Sequence, residues 1–167
     1  MNETERIHIR RIFLGKHPHV ALMAAAGFLG ISFKALEKEF ADGAIVTVST
    51  GVGRRIPREE LIAVAMRTWP QADIEEALGE DASRVLPEAL RLVELHARIP
   101  RYQREMLHYL ARQHQTTVDE VLTRELEDVA CSHAEELSSA VPGFNVALAW
   151  PESESVGPRD GSLSRDF

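Results

Sequence analysis

The chain has 167 residues, enough for one or two small domains, and its 44% hydrophobic content is ordinary for a globular protein. No apolar run is long enough to span a bilayer, MNETERIHIRR lacks the apolar core of a secretory signal, and the single Cys131 excludes a disulfide framework, which together suit a reducing cytoplasm. The net charge of −7 is unevenly spread: residues 1–70 hold ten Lys/Arg against seven Asp/Glu, and residues 71–167 nine against nineteen, so a patch for an anionic partner belongs in the first part and a surface for a basic partner in the second.

Residues 1–19 read as an N-terminal arm. Ile7 and Ile9 alternate with His8 and Arg10, a pattern that suits a short strand or a loose arm, and Gly15 and Pro18 break it. His17-Pro-His19 brings two imidazoles close, but without a third ligand nearby no metal site is expected.

Residues 20–68 are more informative. Leu22, Ala25, Ala26 and Leu29 share one face of a short helix, Gly30 supplies a left-handed turn, Ile31 plugs the core and Ser32 caps a second helix. Leu36 and Phe40 form the buried side of that helix, which Asp42-Gly43 ends. Ile45, Val46 and Val48 favour a strand, Ser49–Gly53 a flexible tip, and Arg54-Arg55-Ile56 a returning strand. Pro57 then opens a helix led by Arg58-Glu59-Glu60, with Leu61, Ile62, Val64 and Ala65 behind it.

The pieces LGIS at 29–32, DG at 42–43 and GRRIPREEL at 53–61, in this order, resemble the excisionase-type, MerR-like winged helix-turn-helix family. The resemblance implies that the helix after the Gly-Ile-Ser turn lies in a DNA major groove while the hairpin reaches the flanking backbone. It carries a DNA-binding role to Ser32, Phe33, Lys34 and Lys38 on the helix, and to Arg54, Arg55 and Arg58 on and after the wing. Lys and Arg would neutralise phosphates and release counterions, and Lys34 is the best placed to read a base edge. Phe33 stands where a polar residue is more usual, and suits a thymine methyl or a protein surface. The bland alternative for the cations is a solvated helix face and hairpin.

Residues 69–92 read as a helical, acidic connector: Gln71–Leu78 and Asp81–Leu86 suit short helices split by Gly79. Residues 93–133 begin with Leu95, Ala97 and Ile99 alternating with Glu94, His96 and Arg98, as in a half-buried strand that Pro100 stops. Tyr102–Gln113 carries Met106, Leu107, Leu110 and Ala111 on one helical face. Thr117 and Glu120 suit a capping box for a further helix striped by Val118, Val121, Leu122, Leu126 and Val129.

A lone strand leaves its backbone groups unpaired, and the economical partner is a second copy of the chain. A strand followed by two such helices resembles the ribbon-helix-helix family of DNA-binding proteins. The resemblance implies a homodimer whose two-stranded ribbon enters the major groove, with His96, Arg98 and Glu94 facing base edges and Thr117 holding phosphate. Gln115 stands where that family usually has a glycine, and Glu94 places a negative charge on the reading face. In the C-terminal segment, 134–167, FNVALAW at 144–150 suits either packing on the core or docking of a partner, and Glu152–Phe167 reads as disordered.

No phosphate loop, HExxH or cysteine pair is present, the seven histidines are scattered, and Cys131 falls on a helical face expected to be buried. No catalytic residue, cofactor or metal is therefore expected. The fold expectation is mainly α with small β elements: a winged helix-turn-helix domain plus a ribbon-helix-helix-like domain. The functional expectation is a cytoplasmic, nucleoid-associated, dimeric repressor of transcription bound to double-stranded DNA. A second reading adds a toxin protein as partner, making the chain an antitoxin. The remaining alternatives are an excisionase-like or architectural DNA-bending factor, and a dimerisation scaffold that reads no DNA.

Overall fold

The computed structural model describes residues 1–151; the expectation of disorder for Glu152–Phe167 lies outside the described residues. The fold is mainly helical with one three-stranded antiparallel sheet. The described residues divide into two compact units, one of Met1–Val85 with residues 149–151, the other of Leu86–Leu148.

The first unit starts with a helix where the alternation of Ile7 and Ile9 suggests a strand. The Asn2 side chain accepts the Glu5 N–H at 2.9 Å and the Glu5 carboxylate accepts the Asn2 N–H at 2.8 Å. This capping box starts helix α1, Glu3–Leu14, with Glu3 and Glu5 in its first turn facing the positive end of the helix dipole. Helical spacing buries Ile9, Ile12 and Phe13 and leaves Ile7 42% exposed.

His19–Ala21 form strand β1, and Leu22–Leu29 form helix α2. Gly30 closes α2 with φ 68°, and Ile31 donates its N–H back to the Ala26 carbonyl at 3.1 Å, so the left-handed residue satisfies carbonyls that the helix end leaves open. Ile31 itself is 36% exposed instead of plugging the core. Ser32 caps helix α3, Phe33–Ala41, by accepting the Ala35 N–H at 3.1 Å. Leu36 is fully buried, while Phe33 and Phe40 are half-buried.

Strands β2, Val48–Thr50, and β3, Gly53–Pro57, form a hairpin with Thr50 opposite Gly53. Gly53 takes φ 106°, which a residue with a Cβ rarely adopts. The sheet order is β1-β3-β2, with Val20 opposite Ile56 and Ala21 opposite Arg55. Helix α4, Arg58–Thr68, follows directly and buries Leu61, Ile62, Ala63 and Ala65. The buried Glu60 carboxylate accepts the Val46 N–H at 3.4 Å and so ties the approach to β2 onto α4.

The acidic connector is part of this same unit up to Val85. Helix α5, Gln71–Leu78, packs on α1 and buries Ile74, Ala77 and Leu78; the short α6, Ala82–Val85, follows. Arg10 of α1 donates to the Ala77 and Leu78 carbonyls at 3.0 Å each and pairs with Asp81 at 2.9 Å. A cation thus satisfies the carbonyl end of α5, where the helix dipole is negative. Trp150 stacks on Phe13 with ring centroids 6.4 Å apart.

In the second unit, residues 91–100 form no strand within one chain, and all are exposed. Helix α7, Arg101–Gln113, starts after Pro100, and α8, Val118–Ser132, starts after Thr117. The turn between them is closed by Gln115 at φ 54°, the left-handed position that glycine fills at lower cost, and Thr116 donates to the Ala111 carbonyl at 2.9 Å. Short helices α9, Ala134–Ala140, and α10, Phe144–Ala149, complete the order. Cys131 is exposed, not buried: it lies on the solvent side of α8.

The helical assignment of the N-terminus is testable because strand and helix sort the isoleucines differently. Ile9→Ala should cost about 2–5 kcal/mol in urea unfolding, as for a buried aliphatic truncation, and Ile7→Ala less than about 1 kcal/mol. Equal losses would indicate the alternating strand.

Candidate nucleic-acid interface

The cations expected to face an anionic partner divide into three groups. Lys34 and Lys38 sit four residues apart on α3, both exposed, so they share one stripe of the helix. Neither forms an ion pair among the described residues. Ser32 is occupied as the cap of that helix, and Phe33 beside it is half-buried. Glu37 and Glu39 are exposed on the same helix, so its cationic face is a stripe and not the whole surface.

Arg54 and Arg55 separate because they are neighbours on a strand, and successive side chains leave on opposite faces. Arg54 is exposed near the hairpin end, where Thr50 donates to the Gly53 carbonyl at 2.7 Å and stiffens the turn. Arg55, in the central strand, lines a cleft beside α1 and α2.

Arg58 is turned inward, contrary to the expected DNA-facing role. Its Nε donates to the His17 carbonyl at 2.7 Å, and one terminal nitrogen donates to the Ile12 and Arg11 carbonyls at 2.6 and 3.3 Å. Burial lowers its pKa, an effect that adjacent Glu59 opposes. Arg58 therefore closes the carbonyl end of α1, which explains why Gly15 follows: a Cβ there would meet the guanidinium.

The second unit holds the remaining candidates. His96 and Arg98 are exposed, with His96 Nε2 3.6 Å from the Glu94 carboxylate. Thr117 is not free to hold phosphate in the expected way. Its hydroxyl accepts the Glu120 N–H at 3.2 Å, its own N–H is donated to the Glu120 carboxylate at 3.3 Å, and Asp119 and Glu120 make the first turn of α8 acidic. An anion is repelled there where a neutral first turn would attract it.

The sequence reading missed Arg10 and Arg11. The available signal was Asn2 followed by Glu5, a capping box that makes α1 a helix and places Arg10 and Arg11 beside Ile7 and Leu14 on a helical face. No group of three or more His, Cys, Asp or Glu residues suited to a metal occurs among the described residues. No helix among them is long and apolar enough to cross a membrane. No family model, no curated protein and no solved structure matches this chain.

The Arg58–Gly15 fit predicts a coupling. Arg58→Ala should cost about 1–3 kcal/mol by orphaning carbonyls, and Gly15→Ala should also destabilise by displacing the guanidinium. In denaturant unfolding the double variant should lose about 1 kcal/mol less than the two single losses together, because both remove one contact. Strict additivity would show that the guanidinium does not depend on the space at Gly15.

Proposed function

We propose that the chain is a dimeric regulator of transcription that binds double-stranded DNA sequence-specifically, through a winged helix-turn-helix module at 20–68. The observation that carries this reading is the sequence α2, left-handed Gly30, capped α3, then the hairpin β2–β3, with Lys34, Lys38 and Arg54 exposed. In this reading α3 enters the major groove, Lys34 reads a base edge, and Lys38 and Arg54 hold phosphates. Arg58 supports the module from within and is not a DNA contact.

The dimer is assigned to residues 93–133, read as a ribbon-helix-helix-like unit. Its support is an incomplete core: within Leu86–Leu148 the buried residues are Leu86, Ala111 and Val121 alone, while Val93, Leu95, Tyr102, Met106 and Tyr109 are exposed. A second copy would pair residues 93–99 as an antiparallel ribbon and cover this apolar surface. Repression follows from occupying a promoter. The antitoxin reading draws on the acidic excess after residue 70 and the exposed Val146 and Leu148 of α10, and co-purification of a small basic protein would distinguish it.

On a duplex selected from a random library, Lys38→Ala and Arg54→Ala should weaken binding to all sequences and each lower the salt slope by about one. Lys34→Ala should also alter sequence preference. A folded Lys34→Ala/Lys38→Ala/Arg54→Ala variant with unchanged affinity and slope would overturn the DNA reading.

Light scattering should give twice the 18.6 kDa chain mass, and Leu95→Asp with Ile99→Asp should return a monomer. A monomeric wild-type chain at high concentration would remove the ribbon.

A further inference from the structure

Helices α1 and α2, with the loop into β1, line an open cleft of about 760 Å³. That is the size of a small-molecule site. Its walls come from two helical rows: Ile7 and Leu14 on α1, and Ala24 and Phe28 on α2, with the buried Val20 between them. Apolar walls alone would suit many occupants. The charges narrow the choice.

Four arginines line the cleft, and no Asp or Glu lines it. Two of the four are committed. Arg10 is held by Asp81 and the carbonyls ending α5, and Arg58 by the carbonyls ending α1. Arg11 and Arg55 have no ion-pair partner among the described residues. The Arg11 guanidinium lies 6.0 Å from the Phe28 ring centroid, so a cation sits against an aromatic wall. Arg55 enters from the central strand, where β1 and β2 fix its backbone on both sides.

Two uncommitted guanidinium groups beside an apolar wall favour an anion that carries apolar surface. Each carries a planar fork suited to a carboxylate or sulfonate. A polyphosphate would bring more negative charge than two free cations balance and would leave the apolar rows uncovered. A neutral apolar molecule could cover the apolar rows but would leave both cations unpaired, and so should bind more weakly than its anionic counterpart.

We propose that this cleft binds a small amphipathic anion, a carboxylate or sulfonate on an apolar ring-sized body, with Arg55 and Arg11 on the charge and Ala24 and Phe28 on the body. The site is independent of the DNA reading, since Lys34, Lys38 and Arg54 do not line it.

The test is a titration of the full chain with 8-anilinonaphthalene-1-sulfonate and, in parallel, with N-phenyl-1-naphthylamine, which keeps the aromatic body and lacks the sulfonate. One sulfonate should bind per chain, with amide shifts in NMR centred on Ala21, Ala24 and Phe28. Arg55→Gln should weaken the sulfonate by about fivefold or more and leave the uncharged amine within about twofold. Ala24→Trp, which fills the cleft, should abolish both, with circular dichroism checking the fold. Lys34→Gln, outside the cleft, should change neither. Several sulfonates per chain, amide shifts elsewhere, equal losses from Arg55→Gln and Lys34→Gln, or unaltered binding in Arg55→Gln would each overturn the proposal. The NMR readout does not depend on any variant folding.

Discussion

The guanidinium of Arg58 finishes one helix from the first residue of another. The last carbonyls of α1 have no partners within the helix, and Arg58 supplies donors to two of them and to His17 beyond. Gly15 leaves the space in which that guanidinium lies. The chain therefore turns under Arg58, and the Arg58 N–H continues the pairing by donating to the Pro18 carbonyl at 2.8 Å. That bond lies next to the His19–Pro57 step of the β1–β3 ladder, so the place where α1 ends also sets the register of the sheet. In a strand, register decides which face each side chain takes. Neighbouring residues take opposite faces in any register; what this register decides is that Arg55, opposite Ala21, is the one on the cleft side.

How much of this was legible in the sequence depends on whether the determinants were local. Gly30, Ser32 and the Thr117–Glu120 pair act within one turn of chain, and each appears where its chemistry places it. The amphipathic spacing of α7 and α8 was equally readable. The N-terminus was not, because Ile7 and Ile9 fit period 2 while Ile9, Ile12 and Phe13 fit period 3.6, and only the Asn2–Glu5 box separates the two. Strand β1 has just three residues and exists because β3 pairs with it, which no local pattern announces. The role of Arg58 was hidden for the same reason: its partners are more than forty residues away, and an Arg at a helix start looks like a surface charge. In the acidic connector the helix 71–78 was readable from its apolar spacing, and Ile74, Ala77 and Leu78 form its buried stripe.

The two units differ in how far one chain can stabilise them. The first has a continuous core drawn from α1, α2, α3, β3, α4 and α5. The second orders a comparable number of residues but buries little more than Ala111 and Val121 between α7 and α8. Ordering a backbone costs roughly 1–2 kcal/mol per residue, which so small a core does not offset. Capping boxes and single ion pairs at solvent-exposed positions, such as Arg104 with Glu105, do not make up that difference. The physical demand for additional burial is therefore strongest where tyrosine, methionine and branched residues are exposed, and it is on this demand, not on a likeness to other proteins, that the proposed homodimer rests.

Charge placement follows the same geometry. One dipeptide, Arg54-Arg55, supplies a cation to each face of β3, so one strand serves both the proposed DNA surface and the proposed ligand cleft. β3 is held by hydrogen bonds on both sides, and a shift of its register would move both arginines together. An anion on Arg55 need not touch DNA to affect it, but it can do so only by favouring one position of this strand over another. Any such coupling is reciprocal: DNA held by Arg54 would alter the cleft's affinity by the same factor. The covalent adjacency of the two residues makes that linkage physically direct, and the pairing of β3 with β1 and β2 keeps it small unless the sheet itself moves.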